Sequence, residues 1–400
     1  GMSTAMTAPA KILTIEDEPP IRDSIVAYLE DSGFTMLEAN DGPSGLEIFR
    51  NEHPDVVLCD LRLPGMDGLE VLSTITAESP ETPVIIVSGV SLLNYAVQAL
   101  KRGAWDYVTK PIHDMAVLES AVRRVIEHAN LQRQNREYRK HLETLNLELS
   151  QTLRHLQEDE EAGRKIQFQL LPEDNLAFGS YTFRRRLFPS TYLSGDFVDY
   201  FPIDDRHVGF YMADVSGHGA ASAFVTVMLN TLVIQYRDAL YLSGDDTVFH
   251  PERTLQRLNG DICRQNLDKH LTLFYGVIDL DQNTLRYSNA GQFPYPLQYD
   301  GRETRSLECP GRPLGLFEDV NFRVRECALP QEAILVLVSD GILELMPEAT
   351  LLERYNELLS AMHEMNPDPD RLAEELGVVA DRRLPDDIAF LVISRGRSHG

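Results

Sequence analysis

Short apolar runs alternate with amphipathic stretches over residues 11–129. The clearest runs cover residues 12–15, 56–59 and 84–87. Each is followed by a helical pattern, which predicts βαβ units around a parallel sheet. The polar residues that directly follow the runs are Glu16, Asp17, Asp60 and Ser88. Because parallel sheets carry functional groups at the carboxyl ends of their strands, we expect these side chains on one rim.

A long helix is predicted next. Between residues 117 and 165 there is no proline, and Gly163 is the single glycine. Apolar side chains occupy a and d positions over about four heptads, which indicates a coiled coil. They are Leu131, Tyr138, Leu142, Leu145, Leu149 and Leu156. Asn135 at an a position favours a parallel homodimer, since paired amides fix the register. The alternative is a helix packed on its own domain, because the e and g positions carry few complementary charges.

Beyond Pro172 the pattern changes to short alternating runs separated by turn residues. Examples cover residues 208–212, 273–278 and 335–338. Helical stretches at residues 220–237 and 253–266 interrupt them, and a helical tail over residues 351–376 is broken at residues 366–369. This mixture predicts an α+β domain with antiparallel sheets.

The chain of 400 residues is long enough for two domains and a connector. The predicted boundaries are residues 11–129 for the first domain, 130–165 for the helical linker and 166–396 for the second domain. Residues 1–10 are expected to be a tag remnant, marked by Gly1 before Met2, and a disordered start.

Charge narrows the range of partners. With 62 acidic and 37 basic residues, the formal net charge is −25, which repels nucleic acid and anionic membranes. No apolar run approaches the roughly 18 residues of a membrane span, and no export signal is visible. The four cysteines are scattered, without the spacing of a metal or redox site. We therefore expect a cytoplasmic protein without direct nucleic-acid or membrane contacts.

The first acidic group has the composition of a phospho-acceptor site. A phosphoryl group can move onto a carboxylate only where a cation offsets the charge of both, so acids that bind Mg²⁺ are needed. A hydroxyl and a lysine must also contact the phosphoryl oxygens, and Ser88 and Lys110 follow two later strand patterns. One acid alone could equally be a helix cap. The order and spacing of the whole set favour phosphoryl chemistry.

Residues 11–128 resemble the response-regulator receiver family. The resemblance rests on Glu16-Asp17, on residues 60–68, on Val87-Ser88-Gly89 and on residues 107–111. It implies a flavodoxin-like α/β fold with a five-stranded parallel sheet, phosphorylated on Asp60 by a sensor histidine kinase or a phosphotransfer protein. Ser88, Tyr107 and Lys110 would respond to the phosphoryl group. Mg²⁺ would be held by Glu16, Asp17, Asp60 and the main-chain carbonyl of Arg62. Glu16 departs mildly from the family's commoner aspartate.

Four aspartates form a second acidic group. They are Asp196, Asp214, Asp340 and Asp386. Carboxylates flanked by small residues suit hard divalent cations, and the lack of cysteine or histidine at ligand spacing favours Mg²⁺ or Mn²⁺ over zinc. Two such ions can activate water for attack on phosphorus, which predicts a phosphomonoester hydrolase. A single aspartate of this kind would more often be a turn residue.

Residues 162–394 resemble the SpoIIE/RsbU-type branch of the metal-dependent protein phosphatase (PPM) family. The matching segments are residues 166–172, 195–197, 214–219, 289–291, 311–316, 339–341 and 386–387. The resemblance implies an αββα sandwich, a binuclear Mn²⁺ or Mg²⁺ centre and protein serine/threonine phosphatase activity. Asp214 would bridge the ions and Val215 would lend its carbonyl. Asp340 and Asp386 would bind directly, and Asp196 directly or through water. Ser194, Gln292 and Ala389 depart from the family pattern without removing a ligand.

Together the two resemblances imply a two-component response regulator in which Asp60 phosphorylation controls the phosphatase. The expected substrate is a phosphorylated STAS-type anti-anti-sigma protein, and the domain order resembles that of RssB-type regulators of sigma S. The alternative is a non-catalytic adaptor that binds a sigma factor for regulated proteolysis. Four mutually repelling carboxylates favour catalysis over that alternative. His218 is expected to cap the helix that begins near Ala220.

Overall fold

The computed structural model describes residues 8–89, 93–362, 368–379 and 383–396. The chain divides after Ser150 into two compact units. Residues 1–7 of the predicted tag remnant lie outside the described residues, as do residues 366 and 367 of the predicted helix break.

The N-terminal unit is built on a parallel sheet. Its strands are β1 (Lys11–Ile15), β2 (Thr35–Ala39), β3 (Val56–Cys59), β4 (Val84–Gly89) and β5 (Asp106–Lys110). Its helices are α1 (Pro19–Asp31), α2 (Gly42–Glu52), α3 (Gly68–Glu78), α4 (Leu93–Lys101) and the first part of α5 (Met115–Leu170). The order β2-β1-β3-β4-β5, with every pairing parallel, confirms the predicted flavodoxin-like fold.

Both faces of this sheet are covered. Ile12 packs with Ile25 of α1 and Leu118 of α5, whereas Leu13 packs with Phe49 of α2 on the opposite face. Because strands buried on both faces need apolar side chains at every position, the sequence shows continuous apolar runs here.

The loop after β3 is fixed by close backbone packing. A Cβ atom at Gly68 would lie 2.1 Å from the carbonyl oxygen of Asp60, so no other residue fits. Asp67 accepts a hydrogen bond from the Leu69 amide and caps α3. These two neighbours therefore hold the backbone at Asp60.

The single helix α5 covers the whole predicted linker. Each of the six apolar heptad side chains is at least 45% exposed, so the alternative of a helix packed on its own domain does not hold for them. None of the helices in the described part of the chain combines the length and hydropathy needed to span a bilayer.

The C-terminal unit contains two antiparallel sheets. Its strands are β6 (Leu176–Phe178), β7 (Tyr181–Phe188), β8 (Asp196–Pro202), β9 (His207–Val215), β10 (Leu271–Asp279), β11 (Thr284–Ala290), β12 (Leu297–Tyr299), β13 (Thr304–Ser306), β14 (Arg325–Ala328), β15 (Ile334–Val338) and β16 (Ile388–Arg395). The first sheet has the order β14-β11-β10-β9-β8 and the second β13-β12-β15-β16-β7-β6. Its helices are α6 (Ala220–Ser243), α7 (Pro251–Gln265), α8 (Glu348–Met362) and α9 (Pro369–Glu375).

Helices cover the outer faces of these sheets. Leu335 and Leu337 of β15 enter the core that also contains α6 and α7 residues, whereas Val336 and Val338 pack with Tyr355 of α8. Since successive side chains of a strand point to opposite faces, one short strand contributes to both cores. This layering confirms the predicted αββα sandwich.

Candidate functional sites

Strand ends of the N-terminal sheet bring predicted receiver residues together. Lys110 ends β5, and its Nζ lies 2.8 Å from Asp60 Oδ2 and 2.6 Å from Glu16 Oε2. Asp60 and Glu16 are only 5% and 2% exposed. The ammonium group of Lys110 is therefore the counter-ion of two buried carboxylates.

The pKa values in this group follow from burial and from Lys110. Burial raises the pKa of Glu16, and the hydrogen bond from Lys110 lowers it only in part. Burial alone would lower the pKa of Lys110, but its hydrogen bonds to Asp60 and Glu16 outweigh that effect and raise it. The lysine thus stays charged beside the acids.

Ser88 and Tyr107 lie on neighbouring strands at the same rim. Ser88 is buried, and its hydroxyl has no partner with good hydrogen-bond geometry among the described residues. The Tyr107 hydroxyl lies close to it and donates to the Gly89 carbonyl 3.5 Å away. A buried hydroxyl of this kind is suited to contact a phosphoryl oxygen.

Oxygen ligands for a cation surround the end of β1. Glu16, Asp17 and Glu18 each offer a carboxylate oxygen within 4.8 Å of the others. Asp17 and Arg62 line an open cleft of about 690 Å³, and the Arg62 amide donates to Asp60 at 3.2 Å. An all-oxygen donor set fits Mg²⁺. Glu18 was not predicted, although it directly follows the predicted acidic pair.

The predicted acids of the C-terminal unit come from both sheets. Asp196 begins β8, and Asp214 of β9 lies directly opposite it in the antiparallel ladder. Asp340 follows β15, and Asp386 precedes β16. The Asp214 carboxyl is close enough to those of Asp196 and Asp340 for both to raise its pKa. Two sheets therefore converge on one acidic group.

Burial and mutual repulsion shift the titration of these acids. Burial raises the pKa of Asp214 to about 12, with further contributions from Asp196 and Asp340. Burial also raises the pKa of Asp196 well above its ordinary value, and that of Asp386, to which the Asp340 charge adds. Among the described residues, no lysine or arginine forms an ion pair with any of the four. An oxygen-only set without positive charge fits a pair of divalent cations.

Two residues that the predicted ligand set missed hold this group in place. Ser339 Oγ donates to Asp196 Oδ2 at 2.6 Å and accepts from the β16 backbone at 2.8 Å. Asp387, which is 2% exposed, accepts from the amides of Ser190 and Gly195. Both stand beside a predicted ligand in the motifs quoted above, which is the signal that could have identified them.

The predicted capping role of His218 is wrong. The N-cap of α6 is Gly219, which has no side chain to accept a hydrogen bond. His218 instead lines an open groove of about 370 Å³ with Ser190, Thr191, Arg383, Leu384 and Pro385. The groove therefore brings an imidazole and a guanidinium together beside Pro385, the residue before Asp386.

Sequence comparisons match both regions to known families. Residues 12–123 match the model of the response regulator receiver domain, and residues 204–396 match that of stage II sporulation protein E (SpoIIE). The regulatory protein AtoC of Escherichia coli is 36% identical over 139 residues, 35% of this chain and 30% of AtoC. The transcriptional regulatory protein CseB of Streptomyces coelicolor is 43% identical over 115 residues, 29% of this chain and 48% of CseB. The chain thus spans less than half of the length of these relatives.

Solved structures also match parts of the chain. The receiver domain of NtrX from Brucella abortus is 36% identical, with a TM-score of 0.28, and the match covers 29% of this chain and 98% of that domain. The RsbU and RsbW domains of Rv1364c from Mycobacterium tuberculosis are 22% identical, with a TM-score of 0.45, and cover 55% of this chain and 61% of that one.

Proposed function

Because the chain combines a response regulator receiver domain (residues 12–123) with a SpoIIE domain of the PPM phosphatase family (residues 204–396), we propose that it is a metal-dependent protein serine/threonine phosphatase controlled by phosphorylation of Asp60. The observation that carries this proposal is the contact of Asp214 with acids from both sheets. A pure binding module gains nothing from carboxylates that repel one another.

In the receiver domain, Asp60 would accept a phosphoryl group from a sensor histidine kinase or a phosphotransfer protein. Lys110, which already contacts the Asp60 carboxylate, would pair with one phosphoryl oxygen. The Ser88 hydroxyl would donate to another, and Tyr107 would change rotamer with it. Bound Mg²⁺ would offset the added charge. Its ligands would be Glu16, Asp17, Asp60 and the Arg62 carbonyl.

In the phosphatase domain, Asp214 would bridge two Mn²⁺ or Mg²⁺ ions, because its carboxyl interacts with those of both Asp196 and Asp340. Val215 would add its main-chain carbonyl and Asp386 its carboxylate. When bound, the ions would supply an activated water for in-line attack on phosphorus. Ser339 would keep the Asp196 carboxylate in one orientation through its 2.6 Å hydrogen bond.

The substrate we propose is phosphoserine or phosphothreonine on a STAS-type anti-anti-sigma protein, in a stress pathway that ends at sigma S. His218 and Arg383 support a phosphate-bearing substrate, because they line the groove whose wall includes Pro385, the neighbour of Asp386. A chain of net charge −25 needs such local basic groups to receive a phosphate.

We also propose that the chain forms a parallel homodimer through α5. The exposed heptad side chains, such as Leu142 and Leu149 at 58% and 57% exposure, support it, since an apolar stripe of this spacing is stabilised by a second helix. Phosphorylation would change dimer geometry, and α5 would carry that change to residues 166–171.

The test begins with a Mn²⁺ titration and a chromogenic phosphomonoester. It continues with phosphorylated STAS proteins, with and without a phosphodonor for the receiver. We expect metal-dependent phosphate release that responds to the phosphodonor in the wild type and not in Asp60→Ala. Equal responses in the two proteins would remove the coupling. No turnover of any phosphomonoester would favour the sigma-binding adaptor.

A further inference from the structure

The last turns of α5 contact the segment that leads to Asp196. Gln167 is 1% exposed. Its Nε2 donates to the Ser194 carbonyl at 2.6 Å, and its Oε1 accepts from the Ser194 amide at 3.0 Å. The side-chain amide therefore pairs with both backbone groups of one residue, as a neighbouring β-strand would. The same Nε2 lies 2.9 Å from Thr226 Oγ1 on α6.

Ser194 lies within reach of the proposed metal ligands. The next residue, Gly195, donates its amide to Asp387 at 2.8 Å and accepts from the Val215 amide at 2.9 Å. A Cβ atom at Gly195 would lie 3.0 Å from the Val215 carbonyl oxygen, so the two backbones are closely packed. The Ser194 hydroxyl also accepts from the Asp196 amide at 3.0 Å. A displacement of Ser194 would therefore move the start of β8.

A second contact comes from the same face of α5. Gly163 lies one helical turn before Gln167, and a Cβ atom there would lie 3.3 Å from Leu193 Cδ2. Residues spaced four apart share a helix face. The two contacts thus hold consecutive residues, Leu193 and Ser194, against one face of the helix.

We propose that Gln167 is the positioning residue through which α5 controls the metal site. Its amide sets the place of Ser194 and thereby the positions of the Asp196 carboxylate and the Val215 carbonyl. This inference rests on the proposed function and adds the atoms that link the helix to it. A rotation or withdrawal of α5 breaks both amide hydrogen bonds together. The buried Ser194 amide and carbonyl are then unpaired, so the segment must move to satisfy them.

The test compares Gln167→Leu with Gln169→Leu in the full chain. Gln169 is an exposed glutamine two residues further along the same helix, so its replacement by leucine is the same chemical change at a control position. In Gln167→Leu we expect faster hydrogen exchange over residues 193–199 without metal, and a Mn²⁺ concentration for half-maximal phosphomonoester hydrolysis about tenfold higher, as for other residues that orient metal ligands. Gln169→Leu should match the wild type in both.

A second measurement tests whether receiver activation reaches Ser194 through Gln167. The receiver is activated with beryllofluoride, which mimics the phosphoryl group. Exchange over residues 193–199 should change in the wild type and in Gln169→Leu, and stay constant in Gln167→Leu. If Gln167→Leu does not fold, Gly163→Ala replaces it in the test. The Gly163→Ala variant retains the helix and displaces Leu193 by a few tenths of an ångström. It should therefore change hydrogen exchange over residues 193–199.

The proposal would be overturned if Gln167→Leu showed the hydrogen exchange and the Mn²⁺ requirement of the wild type. The same outcome in Gly163→Ala would overturn it if that variant is used instead. A wild-type protein without any hydrolysis would end the phosphatase assignment. The exchange measurements would still decide the role of Gln167, because they do not depend on turnover.

Discussion

In the receiver domain two buried carboxylates share the ammonium group of Lys110, whereas in the phosphatase domain the carboxyl groups have one another as charged neighbours. Lys110 lies 2.8 Å or less from Asp60 and Glu16. In the phosphatase domain, burial and neighbouring acids raise the pKa of Asp214 to about 12. A site with its own counter-ion is prepared for a reversible change of charge. A site without one would need cations from outside, as the proposed metal-dependent catalysis requires.

Asp214→Asn should have the largest effect, a loss of phosphomonoester hydrolysis by the phosphatase domain. Loss of the bridging carboxylate should lower kcat for a phosphomonoester by about 1000-fold, which is about 4 kcal/mol of transition-state stabilisation. The measurement is hydrolysis at saturating Mn²⁺, with circular dichroism to confirm folding. Asp205→Asn, at an exposed position before β9, is the control and should leave kcat unchanged. Activity within tenfold of the wild type would contradict the bridging role.

Lys110→Met should destabilise the receiver domain. It leaves Glu16 and Asp60 buried without a counter-ion, which should destabilise the domain by about 3 kcal/mol at neutral pH. The chain's single tryptophan, Trp105, lies in this domain, so its fluorescence can follow unfolding by urea. Lys101→Met, at an exposed lysine, serves as control. Added Mg²⁺ should restore part of the lost stability. A change smaller than that of the control would show that Lys110 does not neutralise the pair.

Asp199 should make the stability of the C-terminal unit depend on pH. Burial raises its pKa to about 7, and Arg237 and the Tyr200 amide lower it only in part. The unfolded value is about 4, so the fold retains a proton that the unfolded chain releases. The contribution is fully present below pH 4 and is lost as the pH rises towards 7, by at most about 1.4 kcal/mol per pH unit.

Asp199→Asn should therefore flatten this dependence. Urea unfolding of the C-terminal unit, followed by circular dichroism in a chelator between pH 5 and 8, is the measurement. Equal slopes for the wild type and the variant would show that Asp199 is ionised in the fold throughout that range.

Asn135→Leu should have the smallest effect, because it changes the helix that joins the two sites and neither site itself. Removing the polar a position should relax the register or the oligomeric state of a parallel dimer, with little change in unstimulated hydrolysis. Light scattering across a concentration series measures this. Asn130→Leu makes the same substitution outside the a and d positions and should behave like the wild type. A wild type that is monomeric throughout would exclude the dimer.

Local patterns predicted the elements, and the places of the acids at strand ends, for physical reasons. Strands buried on both faces require continuous apolar runs, so β1, β3 and β4 were visible. Parallel strands end at a common edge, so the proximity of Asp60 and Lys110 followed from their positions after strands. The predicted boundary between receiver and linker after residue 129 has no counterpart in the secondary structure, because the last receiver helix and the linker join without a break in α5.

Contacts between distant segments were beyond the sequence patterns. Gln167 and Ser194 are 27 residues apart, and no periodicity indicates that a side-chain amide pairs with that backbone. Asp387 stands beside the predicted ligand Asp386, yet it accepts hydrogen bonds from Ser190 and Gly195. Such roles depend on which loops tertiary packing brings together.

The unbroken course of α5 also restricts how the linker can vary in length. Each added residue advances an α-helix by about 1.5 Å and turns everything beyond it by about 100°. Seven residues complete almost two turns and change the angular phase by only about 20°. Two inserted residues would instead turn the part of α5 that contains Gly163 and Gln167 by about 200° relative to the part before the insertion. Variants that preserve signalling should therefore differ in length by whole heptads, and insertions of intermediate size should uncouple the input from the output.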